Sequence, residues 1–149
     1  KMIEFSLQVE PRIIAAILPE LGKLFARSSQ LADFSECVPN VDDSDFQEAW
    51  VDGLEEDAKN DRNALARLLK SPRLPYGRVE VDEEDVDELL RGLTEIRFTI
   101  RQTSLKDISD SELENRVSDL SSSKPEVRIG YFGYLLTAEI QERIIQEVC

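Results

Sequence analysis

Arg97, Asp57, Asp61, Glu139 and Arg143 are charged side chains at positions where helical spacing asks for apolar ones, and chemistry in this sequence would have to start with them. In "ELLRGLTEIRFTIRQ", residues 88–102, Leu89, Leu90, Leu93, Ile96 and Ile100 share a helical face that also takes in Arg97. An earlier stripe of Phe46, Trp50, Leu54, Ala64, Leu65 and Leu68 continues through Asp57 and Asp61. In the last helical stretch Ile129, Phe132, Leu136 and Ile140 set a face that includes Glu139 and Arg143. Guanidinium and carboxylate groups meeting in a core could bind an anion or charged small molecule, hold a hard cation, or form a buried ion-pair network. An unpaired buried ion costs several kcal/mol, against about 5–15 kcal/mol for a whole domain, so these groups must pair or reach water. The planar fork of arginine can serve two carboxylates at once. The expected arrangement has Arg97 on Asp57 or Asp61, with Glu139 and Arg143, four apart in the order that favours an ion pair, extending the network. A structural role ranks ahead of a ligand site, and catalysis comes last.

Catalytic alternatives are few. The chain has no histidine, which removes the commonest general base, the Ser-His and Cys-His nucleophile systems, and His-containing metal sites. "DDSD" and "EVDEEDVDE" lack the spacing of a calcium loop and read as helix starts. There is no P-loop or GxGxxG, and the S-x-x-K spacing of Ser121 and Lys124 falls in a Ser-rich connection with no companion motif. Cys37 and Cys149 are isolated and read as free thiols. No catalytic residue, metal or cofactor is assigned.

Charge narrows the partners. The formal net charge is −13, from 31 acidic and 18 basic residues, with a pI near 4.4. That balance disfavours nucleic acid and anionic membranes and favours a basic protein partner. One local exception runs from Arg62 to Val79, where Arg62, Arg67, Lys70, Arg73 and Arg78 occur without an acid, beside Tyr76. This candidate basic patch could touch a small anion or RNA, but cations also suit the last turn of a helix and a solvated connection.

The elements that must position these groups follow from periodicity. "MIEFSLQV" alternates and reads as a strand, with "GRVEV" as a second beside it. Pro11 opens a helix to about Ser28 that Pro19 must kink or split. Further helices are expected from about Asp45 to Lys70, from Asp82 to Gln102, over "DSELENRVSDL", and from Glu126 nearly to the end, with Pro125 at the first helical position. With 149 residues the expectation is a mainly α, single-domain bundle of four to five helices, residues 1–149, with a short two-stranded β element. No apolar run is long enough to cross a bilayer, and the start lacks the continuous apolar segment of a secretory signal, so a cytoplasmic protein is expected. Gly130 and Gly133 within the last helix imply close approach of another backbone, from this chain or a second copy; Tyr131, Tyr134 and Ile145 form a candidate homodimer patch.

The stretches "DFQEAWVDGLEEDAKNDRNALARLL", "GRVEVDEEDVDELLRGLTEIRFTIRQ" and "GYFGYLLTAEIQERII" together resemble the bacterial domain-of-unknown-function 2017 family. Leu90, Leu93, Thr94, Glu95, Ile96 and Arg97 fill its helical motif, with Leu89 where Trp is common and Thr94-Glu95 in place of Asn-Asp. The resemblance implies a mainly helical cytoplasmic bacterial protein without an established activity. The leading functional expectation is a non-enzymatic interaction or regulatory protein whose acidic surface engages a basic partner. The second is a small-ligand or anion-binding protein, conceivably an enzyme, that uses the inward Arg and carboxylate cluster.

Overall fold

A computed structural model describes residues 1–31, 44–109 and 125–148. Cys37, Cys149, Ser121, Lys124 and the helix expected over "DSELENRVSDL" lie outside the described residues. Strand β1 (Met2–Ser6) pairs antiparallel with β2 (Arg78–Asp82), setting Ile3 opposite Val81 and Phe5 opposite Val79. Alternation does the rest: these four side chains are buried, while Met2, Glu4 and Ser6 are exposed. Gly77 makes the turn into β2 at φ 82°, a conformation that suits glycine, and its carbonyl accepts from the Leu7 amide at 2.7 Å.

Four long helices complete the described core: α1 (Pro11–Leu31), α2 (Ser44–Leu69), α3 (Val86–Gln102) and α4 (Pro125–Val148). The result is a mainly helical bundle with a two-stranded antiparallel sheet. In α1, Ile14, Ile17, Leu21 and Leu24 form the buried stripe. Pro19 neither splits nor ends that helix. It removes one amide donor, and Ala15, whose carbonyl loses that donor, is exposed, where solvent can replace the bond. Asp82 accepts from the Glu84 amide at 3.0 Å, capping a 3-10 turn (Glu83–Asp85) that leads into α3.

Helix α3 is the middle of the structure, packing against α2 on one side and α4 on the other, with α1 also against it. Val86, Leu89, Leu93, Ile96 and Ile100 supply its buried stripe. Two glycines set how near its neighbours come. A Cβ on Gly92 would stand 2.8 Å from the Asp61 carbonyl oxygen of α2, so this residue admits the α2 backbone. A Cβ on Gly130 of α4 would collide with the Ser104 side chain just after α3, and one on Gly133 would come within 3.1 Å of Leu21. The groups nearest Gly130 and Gly133 are thus side chains of this chain, not the second backbone that the sequence implies. Of the expected dimer patch, Tyr131 is buried, Tyr134 is half-buried and Ile145 alone is exposed.

Substitution Gly92→Ala forces α2 from α3 and is expected to destabilise by about 1–3 kcal/mol, in the range of core overpacking. Gly22→Ala, where nothing lies within 4 Å of the added methyl, is expected to stabilise by about 0.5–1 kcal/mol through helix propensity. Urea denaturation of the two variants measures both signs.

Candidate functional site

Arg97 is carried near the end of α3 on the edge that faces α4. Its guanidinium does not meet a carboxylate. Nη1 donates to Gln141 Oε1 at 2.6 Å and Nη2 to the Tyr134 hydroxyl at 3.1 Å, with the guanidinium carbon 4.7 Å from the Tyr134 ring centre. Gln141 is then fully engaged, since its amide nitrogen donates to the Leu90 carbonyl at 3.0 Å and to Thr94 Oγ1 at 2.6 Å. Thr94 in turn donates to the same Leu90 carbonyl. The Arg97 Nε is buried with no hydrogen-bond partner. The charge therefore sits against an aromatic face and two neutral oxygens, a cation–π and hydrogen-bond arrangement that ties α3 to α4.

The expected partners of Arg97 lie elsewhere. Asp61, only 8% exposed, is held by Arg91, whose Nε lies 3.1 Å from each carboxylate oxygen and whose Nη2 lies 3.1 Å from one of them. This fork bridges α2 to α3 beside the Gly92 contact, and the hydrogen bond to Asp61 raises the Arg91 pKa. Asp57 is exposed, because the buried set of α2 starts only at Asp61. Glu139 and Arg143 lie on the opposite side of α4 from Gln141. Rather than pairing with each other or with Arg97, they hold the exit of β1: Glu139 accepts from the Gln8 amide at 2.8 Å, and Arg143 donates to the Ser6 carbonyl at 3.0 Å over the Phe5 ring. The single network expected from the sequence is thus three separate clamps.

The candidate basic patch is also divided. Arg67 lies 3.2 Å from Asp85, Arg73 pairs with Glu80, and Arg78 lies 3.3 Å from Glu4 and donates to Ser6. Lys70 is exposed. Arg62 has a buried nitrogen without a hydrogen-bond partner and acts electrostatically on Glu95 of α3. Glu80 and Asp85, which follow the acid-free stretch directly, and Glu4 from the remote strand β1 pair with three of its cations. Glu95 itself has a raised pKa, chiefly because burial penalises its charged form, with Asp61 adding repulsion and Arg62 opposing both.

Clefts among the described residues include one of about 460 Å³ lined by Ile13, Ile17, Ile129 and Phe132 with Arg12 and Arg128, and Arg97 does not line it. One of about 380 Å³ involves Lys23, Ser104 and Glu126, and one of about 300 Å³ involves Arg67, Glu80 and Asp85. Among the described residues no three acidic, Cys or His side chains gather as a metal would require.

Gln141, Tyr134 and Arg91 were missed from the sequence. Of the face expected for α4, Leu136 and Ile140 are buried and Ile129 and Phe132 half-buried, but the packed face also takes in Gly130, Gly133, Thr137 and Gln141, which a wheel of large side chains passes over. The two glycines were the available signal. Arg91 lies off the apolar stripe and reaches Asp61 only through the length of its side chain, 57% of which is exposed. Comparisons with family models, with curated proteins and with solved structures found no match for this chain.

Replacing Gln141 with Leu leaves the Arg97 guanidinium short of an acceptor and is expected to cost about 1–3 kcal/mol in urea denaturation. Glu95 gives a pH signature. Its folded pKa lies above the unfolded one, so wild-type stability falls as pH rises through the window above about 4.3, where the unfolded state has already released the proton. Glu95→Gln should accordingly be more stable than wild type at pH 7, with the difference vanishing below about pH 4.

Proposed function

We propose that the protein is a non-enzymatic interaction or regulatory protein whose acidic surface engages a basic protein partner. The observation that carries this reading is the internal matching of its inward charges. Arg97 is held by Gln141 and Tyr134, Asp61 by Arg91, Glu139 by a backbone amide and Arg143 by a backbone carbonyl. Side chains engaged in this way clamp helices and strand together and leave little donor or acceptor capacity for a substrate. Many acids among the described residues, by contrast, are at the surface. Asp45, Glu48, Asp52, Glu55, Glu56, Asp57, Asp87, Glu142 and Glu147 are all exposed. A surface of one sign speeds encounter with the opposite sign and repels polyanions.

No described helix is long and apolar enough to cross a membrane. A cytoplasmic location, and the bacterial origin and family implied by the resemblance of residues 45–69, 77–102 and 130–145, belong to the same proposal. So does self-association, for which Ile145 is the exposed remnant of the expected patch.

Full-length protein purified under native conditions at low salt, with its protein and small-molecule fractions both identified by mass spectrometry, tests the reading. The expected result is a basic protein, retained at about 0.1 M salt and released near 1 M, where the screening length falls from about 10 to about 3 Å. Retention of a small metabolite through 1 M salt, with loss of that metabolite in Gln141→Leu, would favour the ligand-binding alternative instead.

A further inference from the structure

The clamps described above account for Arg97, Arg91 and Arg143, and carboxylates account for Arg67, Arg73 and Arg78. Arg128 belongs to neither group. It is half-buried near the start of α4, and no carboxylate among the described residues pairs with it. A partly desolvated guanidinium without a counter-ion is costly, and in a chain with 31 acids against 18 bases it is out of keeping with the other cations.

Its surroundings offer a reason. Arg128 borders the cleft of about 460 Å³ between α1 and α4. Ile13 and Ile17 are four apart on α1, and Arg128 and Phe132 are four apart on α4 with Ile129 beside them, so each helix turns one strip of side chains to the opening. Ile17 is buried, while Ile13, Ile129 and Phe132 are half-buried, and the apolar floor thus carries the core outward to the mouth. Ala16 also lines the cleft, and its short side chain leaves the space open.

Charge and size select the occupant. The volume falls within the range of small-molecule sites, roughly 300–1,000 Å³. Glu10 borders the cleft as well and lies 3.5 Å from Arg12, so two guanidiniums face one carboxylate and the excess is a single positive charge. That excess matches a monoanion better than a dianionic phosphate, and a carboxylate fits the planar fork of arginine. The floor asks for an apolar tail, each buried methylene of which adds affinity. Polyanions fit less well, because the formal net charge of −13 repels an anionic lipid surface or a nucleic acid far more than one free monoanion.

We infer that the cleft between α1 and α4 is a binding site for a free alkyl carboxylate, with Arg128 and Arg12 on the carboxylate and Ile13, Ile17, Ile129 and Phe132 around the tail. The site is separate from the internal clamps and from the basic-partner reading above, so either proposal can fail alone.

The experiment titrates full-length protein, carrying labelled isoleucine δ1 methyl groups, with sodium decanoate below its micelle concentration and follows the methyl NMR signals. Saturable shifts of Ile13, Ile17 and Ile129 are expected, with Ile145 on the same helix α4 unmoved. Arg128→Gln should weaken binding by more than tenfold. Ala16→Trp, which fills the cleft from an exposed position, should abolish it, whereas Lys70→Gln, at an exposed cation elsewhere, should change it by less than threefold. Unliganded methyl spectra and circular dichroism verify that the variants remain folded. 1-Decanol, with the tail but no charge, should bind at least tenfold more weakly than decanoate. Equal binding of decanol, or full binding by Arg128→Gln, would overturn the charge assignment, and tighter binding of decyl phosphate would overturn the match to a monoanion. Shifts that never saturate, or that move Ile145 as much as the cleft methyls, would mean detergent-like adsorption and overturn the site, as would no shift at all. Arg128-dependent binding to phosphatidylglycerol vesicles without a response to decanoate would overturn the free ligand in favour of a lipid surface.

Discussion

Everything in this fold turns on α3, which must satisfy polar groups on two sides while its apolar stripe fills the core. Toward α2 it accepts a backbone at Gly92 and anchors Asp61 through Arg91. Toward α4 it directs Arg97 to Gln141 and Tyr134, and receives Gln141 on its own Leu90 carbonyl. Helices that cross on apolar contacts alone can slide by a turn with little change in buried area. A guanidinium that finds acceptors at only one register removes that freedom, even where its net contribution to stability is small.

The way the charges are matched also explains how an acidic protein can half-bury Arg97 without burying a matching acid. Arg97 keeps its charge beside the π-face of Tyr134 and two neutral oxygens, so no second ion has to be stripped of water. Asp61 is the exception, and its partner Arg91 stays more than half exposed, which lessens the desolvation of that pair. Among the described residues most of the other acids are exposed, Glu95 being half-buried, and the functional proposal follows from that division.

Much of the architecture was legible in the residues. The alternation of Ile3 and Phe5, and of Val79 and Val81, gave strands whose inward pairs do face each other. Pro11 and Pro125 mark the starts of helices that the structure places there. Less legible was which charge meets which. A helical wheel fixes direction around an axis but not how far along α2 the core extends, so Asp57 looked as inward as Asp61. It also weights bulky side chains, so Leu136 and Ile140 are buried as their spacing implies while the extension of that face through Gly130, Gly133 and Gln141 goes unread. Long side chains such as those of Arg91, Arg67 and Arg78 find partners far away in sequence, and no local pattern reveals those.

The central claim is that Arg97 is a fixed internal clamp held by Gln141 and Tyr134, and arginine side-chain NMR addresses it without a substitution. A held guanidinium has hindered rotation and slow proton exchange, so the account predicts separate, slowly exchanging Nη proton signals for Arg97, persisting unchanged at high salt. The exposed Arg12 should give one rapidly exchanging average. If Arg97 also gave that average, or if its signals shifted strongly with salt, the guanidinium would be in solvent and the packing of α3 against α4 described above would be wrong.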